Sequence, residues 1–147
     1  MVLIISTAKP LHKDIEAYIK SNFTSIDIDK AYDYSGAVSK IEENVKYDMI
    51  ISDWDNFIDG YDLLQRVRKN PDVKKKSAPF VIITARRDNI SVVSCIQAAV
   101  TGYITKPLMS QTIDYITIDE KLGPYFEKLA RRIEGIPLVG LTSSQAT

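Results

Sequence analysis

Three polar residues in this chain each close a short apolar run, and together they could handle a phosphorylated carboxylate. Asp53 follows Met49-Ile50-Ile51-Ser52, Thr84 follows Phe80-Val81-Ile82-Ile83, and Lys106-Pro107 follows Gly102-Tyr103-Ile104-Thr105. A carboxylate is a competent nucleophile toward phosphorus. A phosphoryl group in transfer spreads negative charge over its equatorial oxygens, and an ammonium and a hydroxyl can share that charge. The three residues are distant in the chain, so the fold must bring them together. Ligands of open α/β sheets bind outside the carboxyl ends of the strands, and each residue sits at such an end if the runs are strands.

The pattern around them supports strands. Short apolar runs alternate with helical periodicity, which predicts βα units and a parallel sheet. Strands are expected at 2–5, 25–28, 48–52, 80–83 and 102–105. The second, Ser25-Ile26-Asp27-Ile28, alternates in polarity and suits an edge. Helical spacing places Leu11, Ile15 and Ile19 on a first helix beginning near Pro10, with further helices over 35–43 and 61–70. A fourth, over 89–100, offers Ile90, Val93, Ile96 and Ala99 as its apolar face. A fifth starts at residue 110 or 112 and is broken at Gly123-Pro124, since proline disrupts a helix interior. Leu122, Phe126, Leu129 and Ile133 continue its periodicity. The expected fold is α/β: a doubly wound, five-stranded parallel sheet with helices on both faces. Residues 1–135 read as one domain, with an extended and broken last helix over 110–135, and 136–147 as a tail or the start of a linker.

Composition excludes several classes. With 147 residues, 45% hydrophobic and 26% charged, the chain can bury a full core. Lys+Arg and Asp+Glu balance at 19 each, so no global charge draws it to nucleic acid or to a membrane surface. No apolar run approaches the ~20 residues that cross a bilayer. Cys95 is the only cysteine, which rules out an internal disulfide and fits a reducing compartment such as the cytoplasm. The stretch Lys74-Lys75-Lys76, near Arg66, Arg68 and Lys69, reads as a solvated face because no aromatic residues interleave it. His12 is the sole histidine and lacks Cys or Asp partners at zinc-ligand spacing. No glycine-rich phosphate loop follows a strand, which argues against a small α/β enzyme or nucleotide binder.

The segments Asp48 to Trp54, Asp59-Gly60, Ile83-Thr84-Ala85 and Gly102 to Pro107 resemble the receiver domains of two-component response regulators, in particular the single-domain chemotaxis regulators. The resemblance runs over residues 1–112 and is strongest over 31–107. It implies a flavodoxin-like fold in which Asp53 is the phosphoacceptor for a histidine kinase. Thr84 and Lys106 would contact the phosphoryl group, and Tyr103 would change rotamer as Thr84 moves. Output would be protein–protein contact rather than turnover, through the fourth helix, fifth strand and fifth helix. The stripe Leu122, Phe126, Leu129 and Ile133 outruns the usual end of such domains, and beyond packing on the sheet it could dock onto a partner or a second copy of the chain.

The sequence departs from that pattern in one respect. Receivers carry two adjacent acids after the first strand to hold Mg²⁺, and here Ser6 and Thr7 stand in their place. Asp53 and Asp55 are the only local metal-ligand candidates. Weak Mg²⁺ binding and slow or absent phosphorylation are therefore expected. So is a direct Asp53–Lys106 pair that would lower the carboxyl pKa. The alternative is a conventional phosphoacceptor receiver in which Asp55 or water replaces the lost acids.

Overall fold

Strands that are covered on both faces must be apolar on both, and three short runs meet that condition. In the structure, a computed structural model, β1 (Val2–Ile5), β3 (Met49–Asp53) and β4 (Phe80–Thr84) are buried at every position. With β2 (Ile28–Ala31) and β5 (Gly102–Thr105) they form one parallel sheet in the order β2-β1-β3-β4-β5. The structure describes residues 1–43, 45–106 and 115–135, with Tyr115 and Ile116 described in backbone only. Register pairs Ile5 with Ser52, Asp53 with Ile83 and Thr84 with Thr105. The carboxyl ends of four strands therefore finish at nearly one level.

Alternate residues feed two cores. Val2, Ile4, Met49, Ile51, Val81 and Ile83 face α1 (Lys9–Asn22), α6 (Tyr115–Lys121) and α7 (Gly123–Glu134). Leu3, Ile5, Ile50, Phe80 and Ile82 face α2 (Tyr34–Glu42), α3 (Gly60–Arg68) and α5 (Asn89–Gln97). Each fully buried branched or aromatic side chain contributes roughly 1.5–3 kcal/mol, so these strands are the main anchor of the fold. No helix among the described residues is long and apolar enough to cross a membrane.

The elements differ from the sequence expectation in four places. The second strand lies at Ile28–Ala31, shifted by three residues from the expected 25–28 and sharing only Ile28 with it. Its polar residues are held by neighbouring elements: Asp29 pairs with Lys40 of α2 at 3.0 Å and accepts from the Tyr47 hydroxyl, in the loop before β3, at 2.7 Å, and Lys30 pairs with Glu16 of α1 at 2.8 Å. An edge strand tolerates such residues, so hydropathy did not mark it. The lysine run forms a one-turn helix, α4 (Val73–Lys76), because the Asp72 carboxylate caps the Lys74 amide.

The fourth expected helix is α5, and its phase is the reverse of the expected one. Ser91 and Cys95 are buried, while Ile90, Val93 and Ile96 are 81%, 47% and 61% exposed. Asp88 fixes this phase by accepting from both the amide and the hydroxyl of Ser91 at 2.9 Å. The helix ends at Gln97 because Ala99 takes a left-handed φ of 61°. The Arg68 guanidinium, bonded twice to the Ala99 carbonyl at 2.9 and 3.0 Å, holds that turn.

At the chain's last helical stretch, α6 and α7 meet at Leu122, and Leu122, Phe126 and Leu129 are buried while Ile133 is 41% exposed. The expected starts at 110 or 112, and the expected tail 136–147, lie outside the described residues.

Candidate functional site

Asp53 ends β3 and is 2% exposed. A carboxylate in that position needs partners, and two strand ends supply them. Ser6, just after β1, donates its hydroxyl to Oδ2. Lys106, just after β5, places Nζ 3.2 Å from Oδ1, outside hydrogen-bond geometry, so that oxygen is ion-paired but has no aligned donor. Ser6 is itself fixed. Its amide donates to the Ala31 carbonyl at 3.1 Å, its Oγ accepts from the Ala8 amide at 3.0 Å, and its carbonyl lies 2.8 Å from His12 Nε2. His12 is buried beneath it and packs on the Tyr32 ring at 4.6 Å. The start of α3 closes the other side: a Cβ on Gly60 would lie 2.3 Å from the Asp53 carbonyl oxygen.

Thr84 ends β4 on the same rim, fully buried. Its hydroxyl donates to the Trp54 carbonyl at 2.7 Å and accepts from the Arg86 amide at 3.1 Å. It is therefore tied to the backbone directly after Asp53, not to Asp53 itself. Tyr103 in β5 donates its hydroxyl to the Arg86 carbonyl at 2.7 Å. The Arg86 guanidinium lies 4.4 Å over the Trp54 ring, which packs on Tyr61 at 5.6 Å. Trp54, Asp55, Asn56, Thr84, Arg86 and Lys106 line an open cleft of about 350 Å³ beside the buried carboxylate.

Two expected ligand positions differ from a magnesium site. Asp55 turns into its own loop, where Oδ1 accepts from the Phe57 and Ile58 amides at 2.8 Å each. Thr7 is exposed, and neither hydroxyl of the Ser6-Thr7 pair can neutralise a divalent cation. Among the described residues no group of three or more His, Cys, Asp or Glu could hold a metal. Mg²⁺ is normally bound through one or two carboxylates with water and phosphate oxygens. The carboxylates at the cleft are Asp53, whose oxygens face Ser6 and Lys106, and Asp55, whose Oδ1 caps its own loop; without an acid at position 6 or 7 this set fits that arrangement poorly.

Electrostatics correct one expectation. Lys106 was expected to lower the Asp53 pKa, but burial raises it above the ordinary value, and the Ser6 hydrogen bond and the Lys106 charge oppose that only in part. Desolvation penalises the charged form, and one half-buried lysine at an unaligned angle does not offset it. Burial likewise lowers the His12 pKa. Sequence reasoning placed Ser6 near the pocket but not on Asp53, and it missed both His12 beneath Ser6 and the Arg86–Trp54 stack. The signals for Ser6 were its place one residue after an apolar strand and its position where the family resemblance implies an acid.

Known proteins share this fold. The response regulator receiver domain family matches residues 2–117. The chemotaxis protein CheY-3 of Vibrio cholerae is 33% identical over 84 residues, which is 56% of this chain and 59% of that protein's length. The Francisella response regulator 1452 receiver domain superposes with a TM-score of 0.68 at 27% identity, covering 89% of this chain and 96% of that one. A two-component response regulator from Clostridium difficile gives the same TM-score at 24% identity over 90% of this chain and 96% of that one, a likeness of fold alone. The fold is thus shared with receiver-type proteins and the family model spans most of the sequence, so the chain belongs to the response regulator receiver domain family.

Proposed function

We propose that this receiver domain signals through protein contacts from a pocket in which Ser6 and Lys106, rather than Mg²⁺, hold the acceptor carboxylate. The observation that carries the reading is the Ser6 hydroxyl on Asp53 Oδ2. It occupies one of the two acceptor oxygens, from the position where the family resemblance implies an acid. Asp53 is the acceptor position, Lys106 and Thr84 are the phosphoryl-contacting residues, and Tyr103 is the residue that would follow Thr84. Mg²⁺ binding is weak, phosphorylation is slow or absent, and the domain turns over no substrate. The setting is cytoplasmic, and the partners are a histidine kinase, an output protein or a second copy, through α5, β5 and α6.

A conventional phosphoacceptor is the second reading, favoured by the Asp53–Lys106 pair at 3.2 Å. In that case an Asp53 oxygen forms the new P–O bond as the P–N bond of a phosphohistidine breaks, and the imidazole leaves with the electron pair. Intact mass spectrometry after incubation with acetyl phosphate and Mg²⁺ separates the two. Unmodified protein is expected. A phosphoryl adduct in most molecules, absent from Asp53→Ala, would establish the conventional reading.

A further inference from the structure

A second cleft, of about 440 Å³, lies at the opposite end of the sheet from Asp53. Its floor is Met49 at the start of β3 and Pro79 just before β4; its wall is α7, through Tyr125, Leu129 and two cations, Lys128 and Arg132. Tyr125 is seated by Gly102, where a Cβ would come within 2.3 Å of the phenol oxygen. Residues 123–134 lie beyond the span matched by the family model. The size falls within the roughly 300–1,000 Å³ of small-molecule sites, which combine apolar walls with a few placed polar groups.

Charge narrows the choice of ligand. Lys128 and Arg132 are four apart on one helical face, where like charges repel. Neither has an ion-pair partner among the described residues, although the adjacent Arg131 pairs with Glu127 at 3.3 Å. Asp48, the one acid in the lining, is matched by the N-terminal ammonium. An apolar floor beneath two unmatched cations is complementary to an apolar body that ends in a single anionic group. A polyanion would meet Met49 and Pro79 without hydrogen-bond partners, and a neutral apolar molecule would leave both cations unmatched.

We propose that this cleft binds a small organic carboxylate, with its chain or ring on Pro79, Pro124 and Tyr125 above the buried Met49 and Leu129, and its carboxylate between Lys128 and Arg132. The site is separate from Asp53 and does not depend on how that residue is used. The test is titration of octanoate into the full chain, followed by amide NMR, with octan-1-ol as the neutral control. Saturable shifts confined to the surroundings of Met49, Thr101, Tyr125 and Leu129 are expected. Because charge-assisted hydrogen bonds are the strong ones, Lys128→Gln with Arg132→Gln should weaken octanoate roughly tenfold and leave octan-1-ol unchanged. Absent or unsaturable shifts, shifts centred elsewhere, or equal loss for both probes would overturn the proposal. So would contacts of Met49 and Leu129, before any probe is added, with residues 136–141 or with a second copy.

Discussion

The Asp53 carboxyl is the residue on which burial and charge pairing compete most directly, and the competition yields two measurable consequences. Its pKa is raised in the folded protein, so between the ordinary carboxylate value and the raised one the native state holds a proton that the unfolded chain has lost. Stability from this group is therefore complete at low pH and falls as pH rises through that window. Asp53→Asn keeps the shape, can still accept from Ser6, and removes the penalty. It should stabilise the domain at pH 7 by on the order of 1 kcal/mol, with the gain vanishing as the pH is brought below the ordinary carboxylate range. Urea unfolding of both proteins across pH checks the sign, and a variant that is less stable at pH 7 would show that the Lys106 pair outweighs burial. Ser6 has the complementary role. Ser6→Asp restores one of the acids that the family uses, and two carboxylates side by side attract a divalent cation while repelling each other in its absence. The variant should bind Mg²⁺ at least tenfold more tightly than the parent. Trp54, the only tryptophan and the residue next to Asp53, reports it: its fluorescence should change with Mg²⁺ in Ser6→Asp and stay level in the parent over the same millimolar range.

At the scale of elements, the site depends on how closely α3 abuts the end of β3. A methyl at Gly60 would sit 2.3 Å from the Asp53 carbonyl oxygen and 3.2 Å from Trp54 Cβ. The first of these is backbone and cannot swing aside, so α3 must move or the strand end must bend. Gly60→Ala is expected to cost about 1–3 kcal/mol, the usual penalty for overpacking, and to change Trp54 fluorescence in the folded state; thermal and chemical unfolding check the first and emission spectra the second. The same elements show what a sequence can and cannot disclose. The runs at β1, β3 and β4 were legible because burial on both faces leaves an unbroken apolar signature, and their polar terminal residues then located the rim. Strand β2 was misplaced because an edge strand needs no such signature: Asp29 and Lys30 are satisfied by Lys40, Tyr47 and Glu16, partners 11 to 18 residues away in sequence for Asp29 and on a separate helix for Lys30. The turned-in Asp55 side chain was equally hidden. A loop acid reads the same in sequence whether it faces a metal or caps its own amides, and only the backbone path of residues 55–58 decides.

For the whole molecule, the decisive feature is the direction α5 faces. Helical periodicity assigned Ile90, Val93 and Ile96 to the core, and the alternation of that helix does contain an apolar stripe; the Asp88 cap instead presents Ser91 and Cys95 to the sheet and turns the stripe to solvent. Single exposed apolar residues are ordinary, but several on one face mark an interaction surface. Cleft and stripe are also contiguous in the fold: Thr84 ends β4, Arg86 lies in the loop that follows, Tyr103 reaches from β5 to the Arg86 carbonyl, and α5 follows directly from that loop. A change at the rim would thus reach α5 through one short loop rather than through the core. The phase of the helix separates two kinds of substitution. Ile90→Glu with Ile96→Glu changes side chains that are 81% and 61% exposed, so unfolding free energy should stay within about 0.5 kcal/mol of the parent. Cys95→Glu, fully buried on the opposite face, should cost several kcal/mol or prevent folding, because a charge is buried without a partner. If the stripe is the contact face, sedimentation at high protein concentration should show self-association in the parent that weakens at least tenfold in the Ile90→Glu, Ile96→Glu protein. A double variant that unfolds like Cys95→Glu would instead mean that α5 packs with the phase its hydropathy first suggested, and the exposed face would have to be sought elsewhere.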